Sequence, residues 1–179
     1  VIPLSQPYNT APWFYAGSES VPSIPPDVVD WALIDVRDAT SAANATPATT
    51  VAMKAVFVLN DGSLVDLDGS TLPSFSFTLT NQMFVVVWHR NHLGIMSANP
   101  LVDGGGGIYN YDFTGAAGQA YLNGQKNLGG GDYGMYGGNG NKDGMINGSD
   151  YTVWQNFAGE NGYLYGDYNM DGEGNNQHK

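Results

Sequence analysis

The sequence predicts a mainly β chain: an antiparallel β-sandwich of immunoglobulin-like or jelly-roll type with a small appended module at its carboxyl end. Three observations lead there. Short apolar segments follow one another between turn signals, with little helical periodicity among them. The 179 residues combine 42% hydrophobic and 12% aromatic content with 25 glycines and only 13% charged residues, which describes a folded, loop-rich chain and not a disordered acidic one. The texture then changes near Tyr133 to a spaced pattern of Asp, Asn and Gly, so the expected units are 1–132 and 133–179.

Residues 1–27 hold six prolines and no clear period, so they run extended along a surface, pinned by Trp13, Phe14 and Tyr15. Whether that surface belongs to this chain or to a neighbouring copy stays open at this level. Strand texture begins with VVDWALIDVRD (28–38) and yields to a polar loop, DATSAANATPATT. VAMKAVFVL (51–59) sets Val51, Met53, Phe57 and Leu59 on one face. NDGS (60–63) then makes a hairpin turn, because Asp-Gly tolerates positive φ, and LVDLDG (64–69) returns. SFSFTLT (74–80) alternates with Phe75, Phe77 and Leu79 inward, as a half-buried antiparallel strand does, whereas the unbroken run MFVVVWH (83–89) belongs at the centre of a sheet. LGIMSA (93–98) and IYNYDF (108–113) complete the series. The glycine runs DGGGG and LGGGD are flexible connections with no phosphate-binding context, and the stretch between them holds a helical turn.

The tail carries the most specific signal. A calcium loop places oxygen ligands at positions 1, 3, 5, 9 and 12, a backbone carbonyl at 7, and glycine at 6 where the chain turns sharply. NGNKDGMINGSD fills every place: Asn139, Asn141, Asp143, Gly144, Met145 through its carbonyl, Asn147 and Asp150. DYNMDGEGNNQH starts the same pattern with Asp167, Asn169, Asp171, Gly172, Glu173 and Asn175, but puts His178 at position 12. A solvated polar loop shares this composition without sharing the offsets, and hard oxygen donors suit Ca2+, one or two ions, better than zinc or copper. Only Asp143 and Asp150 are carboxylates in the first loop, so its affinity belongs in the roughly 0.1–1 mM extracellular range. SDYTVWQNF sets Val153, Trp154 and Phe157 at helical offsets, and Gly159 ends a short helix.

Seventeen acids against six bases give a net charge of -11, which argues against nucleic acid or an anionic membrane as partner and makes divalent cations the natural counterion. The absence of cysteine removes disulfides and thiolate chemistry, and no signal peptide or membrane-spanning run is present in the sequence. Asn44 and Asn147 fit the N-glycosylation pattern, the second inside a loop already assigned to the ion.

Catalytic motifs are missing. His89 and His92, three apart in HRNH, have the chemistry for metal binding or acid–base work, yet no motif supplies a third ligand or a paired acid, so the stretch is read as structural. Neither a nucleophile elbow nor a paired-histidine helix is present, and no pair of acids is singled out for glycoside hydrolysis; a hydrolase is the third-ranked reading. Among the tryptophans, Trp31 and Trp88 lie in apolar strands and read as core, leaving Trp13 and Trp154 as candidates for stacking on sugar.

The loop-then-single-helix order of the tail resembles a type I dockerin repeat, with Gly174 and His178 departing from the pattern at positions 8 and 12 of a second, truncated repeat. Taken with PLSQPYNTAPWFYAGSESV, DVVDWALIDVRD, VFVLNDGSLVDLDG, HRNHLGIMSA and LGGGDYGMYGGNGNKDG, the chain resembles a C-terminal module of large secreted and cell-surface proteins of bacteria that use type IX secretion. The resemblance implies a β-sandwich followed by dockerin-like calcium loops, with a further strand before PLSQPYN and a helix after the second loop. The expected role is an extracellular, calcium-stabilised structural or adhesion module. It would be a subunit of a surface assembly or homo-oligomeric filament formed by strand exchange, since a sandwich short of an edge strand invites one from a neighbour. The rival is a carbohydrate- or cohesin-type targeting module of a secreted polysaccharide-degrading enzyme, with a glycan as partner.

Overall fold

Strand β1 (Val28–Ala39) is the axis of the structure, a computed structural model that describes residues 1–175. It is flanked on one side by β2 (Thr50–Leu59) and β3 (Leu64–Val65) and on the other by β4 (Gln82–Trp88) and β5 (Ile95–Met96). The result is a five-stranded antiparallel sheet in the order β3-β2-β1-β4-β5. A separate hairpin, β6 (Lys126–Gly129) with β7 (Asp132–Gly134), and a helix α1 (Gly148–Phe157) complete the elements that position the site. The fold is thus mainly β, antiparallel, with one short α-helix among the described residues.

Both faces of the sheet are covered, which is why β1 and β4 read as near-continuous apolar runs and not as alternating ones. On one face Trp31, Leu33, Ala55, Phe57 and Val65 pack under the N-terminal arm, whose Tyr8 is completely buried. Tyr8 Oη donates to the carbonyl of Trp31 at 2.7 Å, and Trp31 Nε1 donates to the carbonyl of Pro3 at 2.8 Å. The arm closes on itself through Gln6 N–H to Glu19 O and Val21 N–H to Leu4 O, so it is a folded-back strap on its own sheet. Its anchor is Tyr8; of the three expected pins, Phe14 is 72% exposed.

On the other face Ala32, Ile34, Val36, Val56, Met83, Val85, Val87 and Ile95 form the second core cluster. Phe75, Phe77, Leu79, Leu101, Tyr111, Phe113 and Met135 lean on it, half-buried. Residues 74–80 alternate inward and outward as expected but join no ladder, and among the described residues no backbone group of residues 72–79 has a hydrogen-bond partner. Alternation reports which way side chains face; it does not supply an adjacent strand. Similarly, residues 108–113 form no strand, and the DGGGG run turns a small bridge between Asp103 and Tyr109, with Asp103 Oδ1 accepting from the N–H groups of Gly105 and Gly107. Between the sheet and these covering segments opens a largely apolar groove of about 1240 Å³.

The expected turns hold. Gly62 takes φ +87 between β2 and β3, and the LGGGD run, expected as a flexible connection, is the turn of the β6–β7 hairpin, with Gly129, Gly130 and Gly131 all at positive φ.

Candidate metal centre

The site is built where the end of β4 meets the tail. An aspartate inside an apolar strand has to find partners, because an unpaired buried charge is costly. Asp30 lies at a bulge near the start of β1, 2% exposed. Its carboxylate accepts from Trp31 N–H (2.7 Å), Arg90 Nε (3.0 Å) and Tyr163 Oη (2.6 Å), and stands 3.1 Å from His89 Nε2. Arg90, itself 2% exposed, lies over the Tyr163 ring at 4.1 Å, donates to the carbonyl of Leu164, and approaches Asp167 at 3.8 Å. HRNH thus fastens the tail to the sheet.

Asn91 is completely buried and makes the joint. Its carbonyl accepts from the N–H groups of both Gly138 and Asn139 at 3.0 Å, and its side-chain amide donates to the carbonyl of Asp167. Its Oδ1 lies 2.8 Å from His92 Nδ1 and 3.0 Å from His89 Nδ1. Asn139 and Asp167 are the first positions of the two loops.

In the first loop Asn141 Oδ1 accepts from Asp143 N–H (3.0 Å) and Asp143 Oδ1 from Met145 N–H (2.8 Å). Gly144, at φ +83, makes the sharp turn that position 6 requires. Asp150 closes the loop: it is 2% exposed, and its two oxygens accept from Asn141 N–H (3.1 Å) and Asn147 N–H (2.8 Å). Asn147 is also the N-cap of α1, accepting from Ser149 N–H, so ligand positions 9 and 12 are locked together by a capping box. The helix begins at Gly148, and its half-buried residues are Val153, Trp154 and Phe157, those its spacing predicts.

The second loop repeats the internal bonding at the same positions. Asn169 Oδ1 accepts from Asp171 N–H (3.2 Å), Asp171 Oδ1 from Glu173 N–H (2.9 Å), and Gly172 takes φ +86. Asp167, 1% exposed, accepts from Gly172 N–H through Oδ2 at 2.9 Å. Asn175 Nδ2 donates to Glu173 Oε2 at 3.0 Å. His178, the expected position 12, lies outside the described residues. Gly174 has a reason to be glycine: its N–H and carbonyl pair with Glu160 and Gly159 beyond α1, and a Cβ there would stand 2.0 Å from the carbonyl oxygen of Phe157. The second loop thus pairs with the end of the helix, and position 8 faces backbone where Ile146 in the first loop is 47% exposed.

Both first-position oxygens, Asn139 Oδ1 and Asp167 Oδ1, are buried with no hydrogen-bond partner among the described residues. Buried polar atoms are nearly always satisfied, and two orphans at equivalent places in two loops fit a ligand that donates positive charge to oxygen. The donor set, amide and carboxylate oxygens with two backbone carbonyls, suits a hard divalent cation such as calcium. If ions bind, Asn139, Asn141, Asp143, Met145, Asn147 and Asp150 hold one, and Asp167, Asn169, Asp171, Glu173 and Asn175 the other.

Electrostatics at the joint make it acid-sensitive. Burial chiefly, with the nearby positive charge of His89 and Arg90, holds His92 at about 3, against 6.5 ordinarily. Burial pushes Asp30 up, but His89, Arg90 and Tyr163 outweigh it and hold the carboxyl at about 2. Both groups bind fewer protons in the fold than in the unfolded chain, so the share of His92 is fully present above about pH 6.5 and lost as pH falls toward 3, whereas that of Asp30 is lost only below about pH 3.8, as pH falls toward 2. For His92 the loss is on the order of 5 kcal/mol, at 1.36 kcal/mol per pH unit. Urea unfolding in calcium-free buffer should show this between pH 7 and pH 4, and His92→Gln should flatten the profile; an unchanged slope would contradict the assignment.

Of the tryptophans considered for sugar, Trp13 is taken: its ring meets Tyr8 edge-on at 4.9 Å and carries the Lys142 ammonium at 5.5 Å. Trp154 is half-buried, donates through Nε1 to the carbonyl of Asn175, and stacks on Tyr151 at 5.2 Å. Sequence reasoning missed Asp30 and Tyr163; an acid inside VVDWALID was the available signal. No protein-family model, curated protein or solved structure matches the chain.

Proposed function

We propose that the chain is an extracellular, calcium-stabilised structural or adhesion module of a bacterial surface, dockerin-like in its tail and completed by strand exchange between copies in an assembly or filament. The observation that carries this reading is the pair of buried, partnerless oxygens on Asn139 and Asp167, set in two loops with the same internal bonding. Leaving such an atom unsatisfied costs about 1–3 kcal/mol, which an ion in each loop would relieve. The test is calorimetric titration of calcium chloride into chelator-treated protein. At least one binding event per chain is expected, with Kd in the roughly 0.1–1 mM range. No heat and no rise in melting temperature at saturating calcium would end the reading.

The assembly half draws on the groove. An open, largely apolar groove of about 1240 Å³ lies between the sheet and its covering segments. Among the described residues the backbone of 72–79 beside it has no hydrogen-bond partner. A strand from a neighbour would supply apolar side chains to the first and main-chain partners to the second, adding a paired layer on the face of the sheet opposite the strap. Phe77→Asp should block assembly, followed by sedimentation and electron microscopy, while leaving the calcium heat unchanged. A wild-type chain that stays monomeric at high concentration counts against assembly.

The alternative, a glycan- or cohesin-type targeting module, has one supporting observation: Tyr151, 53% exposed, presents a ring already stacked on Trp154. Tyr151→Ala tested on a glycan array separates the two.

A further inference from the structure

We propose that Asn91 is a positioning residue that couples the two metal loops, so that an ion in either one tightens binding in the other. This rests on the calcium reading above and adds to it a direction of communication. The coupling is carried by one buried residue, through its main-chain carbonyl on one side and its side-chain amide on the other. Through its carbonyl it holds the N–H groups of Gly138 and Asn139, and through its amide the carbonyl of Asp167. The first ligand of each loop is therefore fixed by opposite ends of the same residue. His92 and His89 hold its Oδ1 from the side, and neighbouring Arg90 ties Asp167 to Asp30 in β1. Rotation of the Asn91 side chain would release Asp167, and displacement of its main chain would release Gly138 and Asn139.

Drawing Asn139 Oδ1 onto an ion orders the backbone hanging from the Asn91 carbonyl. That ordering fixes Asn91 and hence Asp167, so the second ion meets a first ligand whose freedom is already lost. The effect is reciprocal by thermodynamic necessity and falls in the range of roughly 5- to 150-fold. A second route between the loops exists, from Tyr168 Oη to the carbonyl of Asp150 at 2.8 Å. The test has to separate the two.

The experiment is calcium titration of the full chain in a mutant cycle. Asp171→Ala disables the second loop and Asp143→Ala the first. If Asn91 couples them, each change weakens the surviving site by the same factor, within roughly 5- to 150-fold. Asn91→Asp, which keeps the shape and removes the amide donor, should leave both sites able to bind but abolish that mutual effect; Tyr168→Phe should leave it in place. Independent sites in the wild type, or coupling that survives Asn91→Asp and disappears in Tyr168→Phe, overturns the proposal. Absence of any calcium heat in the wild type instead overturns the calcium reading itself. Should Asn91→Asp fail to fold, hydrogen exchange on Asp143→Ala serves. Calcium bound only at the second loop should then slow exchange at the Gly138 and Asn139 amides, whose acceptor is Asn91, and unaltered exchange there refutes the coupling.

Discussion

Replacing Asp30 by alanine is expected to destabilise the chain by about 3–5 kcal/mol, the range for removing one partner of a buried ion pair. The loss is large because four groups lean on one carboxylate. Arg90 is 2% exposed and His89 6%, and both lie against it; Tyr163 Oη and the N–H of Trp31 complete its shell. Alanine strands the Arg90 guanidinium in a buried place with Asp167 at 3.8 Å as the next anion. Asn at position 30 keeps the acceptor but not the charge, so Asp30→Asn should fall between the two. Urea unfolding followed by tryptophan emission would measure both, and a cost under 1 kcal/mol for Asp30→Ala would show that the joint between sheet and tail is not held this way.

Removing calcium should lower the melting temperature by an amount set by mass action. With Kd at roughly 0.1–1 mM, about 10 mM calcium stabilises the folded state by roughly 1.4–2.7 kcal/mol per occupied site. For a chain of this size each kcal/mol moves the midpoint by about 2–4 °C, so excess chelator should cost roughly 3–11 °C for one site. Asp143→Ala should remove the share of the first loop. Its carboxylate accepts from Met145 N–H, a bond within an exposed turn, so the calcium-free midpoint should hardly change. Scanning calorimetry with and without chelator decides this, and a midpoint indifferent to chelator would exclude the ion as a stabilising part.

Much of this was legible in the sequence. The strands around Trp31, Phe57 and Val85 were written in apolar runs whose length and β-branching leave little choice, and their turns in Asp-Gly and Gly-Gly pairs. The loop turns were legible because Asn, Asp and Gly at fixed offsets dictate the internal bonding seen at Asn141, Asp143, Asn169 and Asp171, and α1 because Asp150 completes the capping box at its start. What was not legible depends on contacts between distant residues. Asp30 meets Tyr163 across 133 positions and Arg90 across 60, and nothing local to any of them encodes the meeting. Gly174 looked like a defect in a repeat because the carbonyl of Phe157 that crowds it is visible only in three dimensions. The alternation of Phe75, Phe77 and Leu79 was read correctly as a facing pattern, and a missing ladder leaves no trace in such a pattern.

Lys142, at position 4 of the first loop and at φ +65, rests its ammonium 3.8 Å above the Tyr165 ring and 5.5 Å from that of Trp13. Any rearrangement of the loop must therefore alter the surroundings of an indole in the N-terminal strap. If that loop takes an ion, a chain whose other three indoles are replaced by phenylalanine should report the event in the colour of Trp13 fluorescence, without an attached dye.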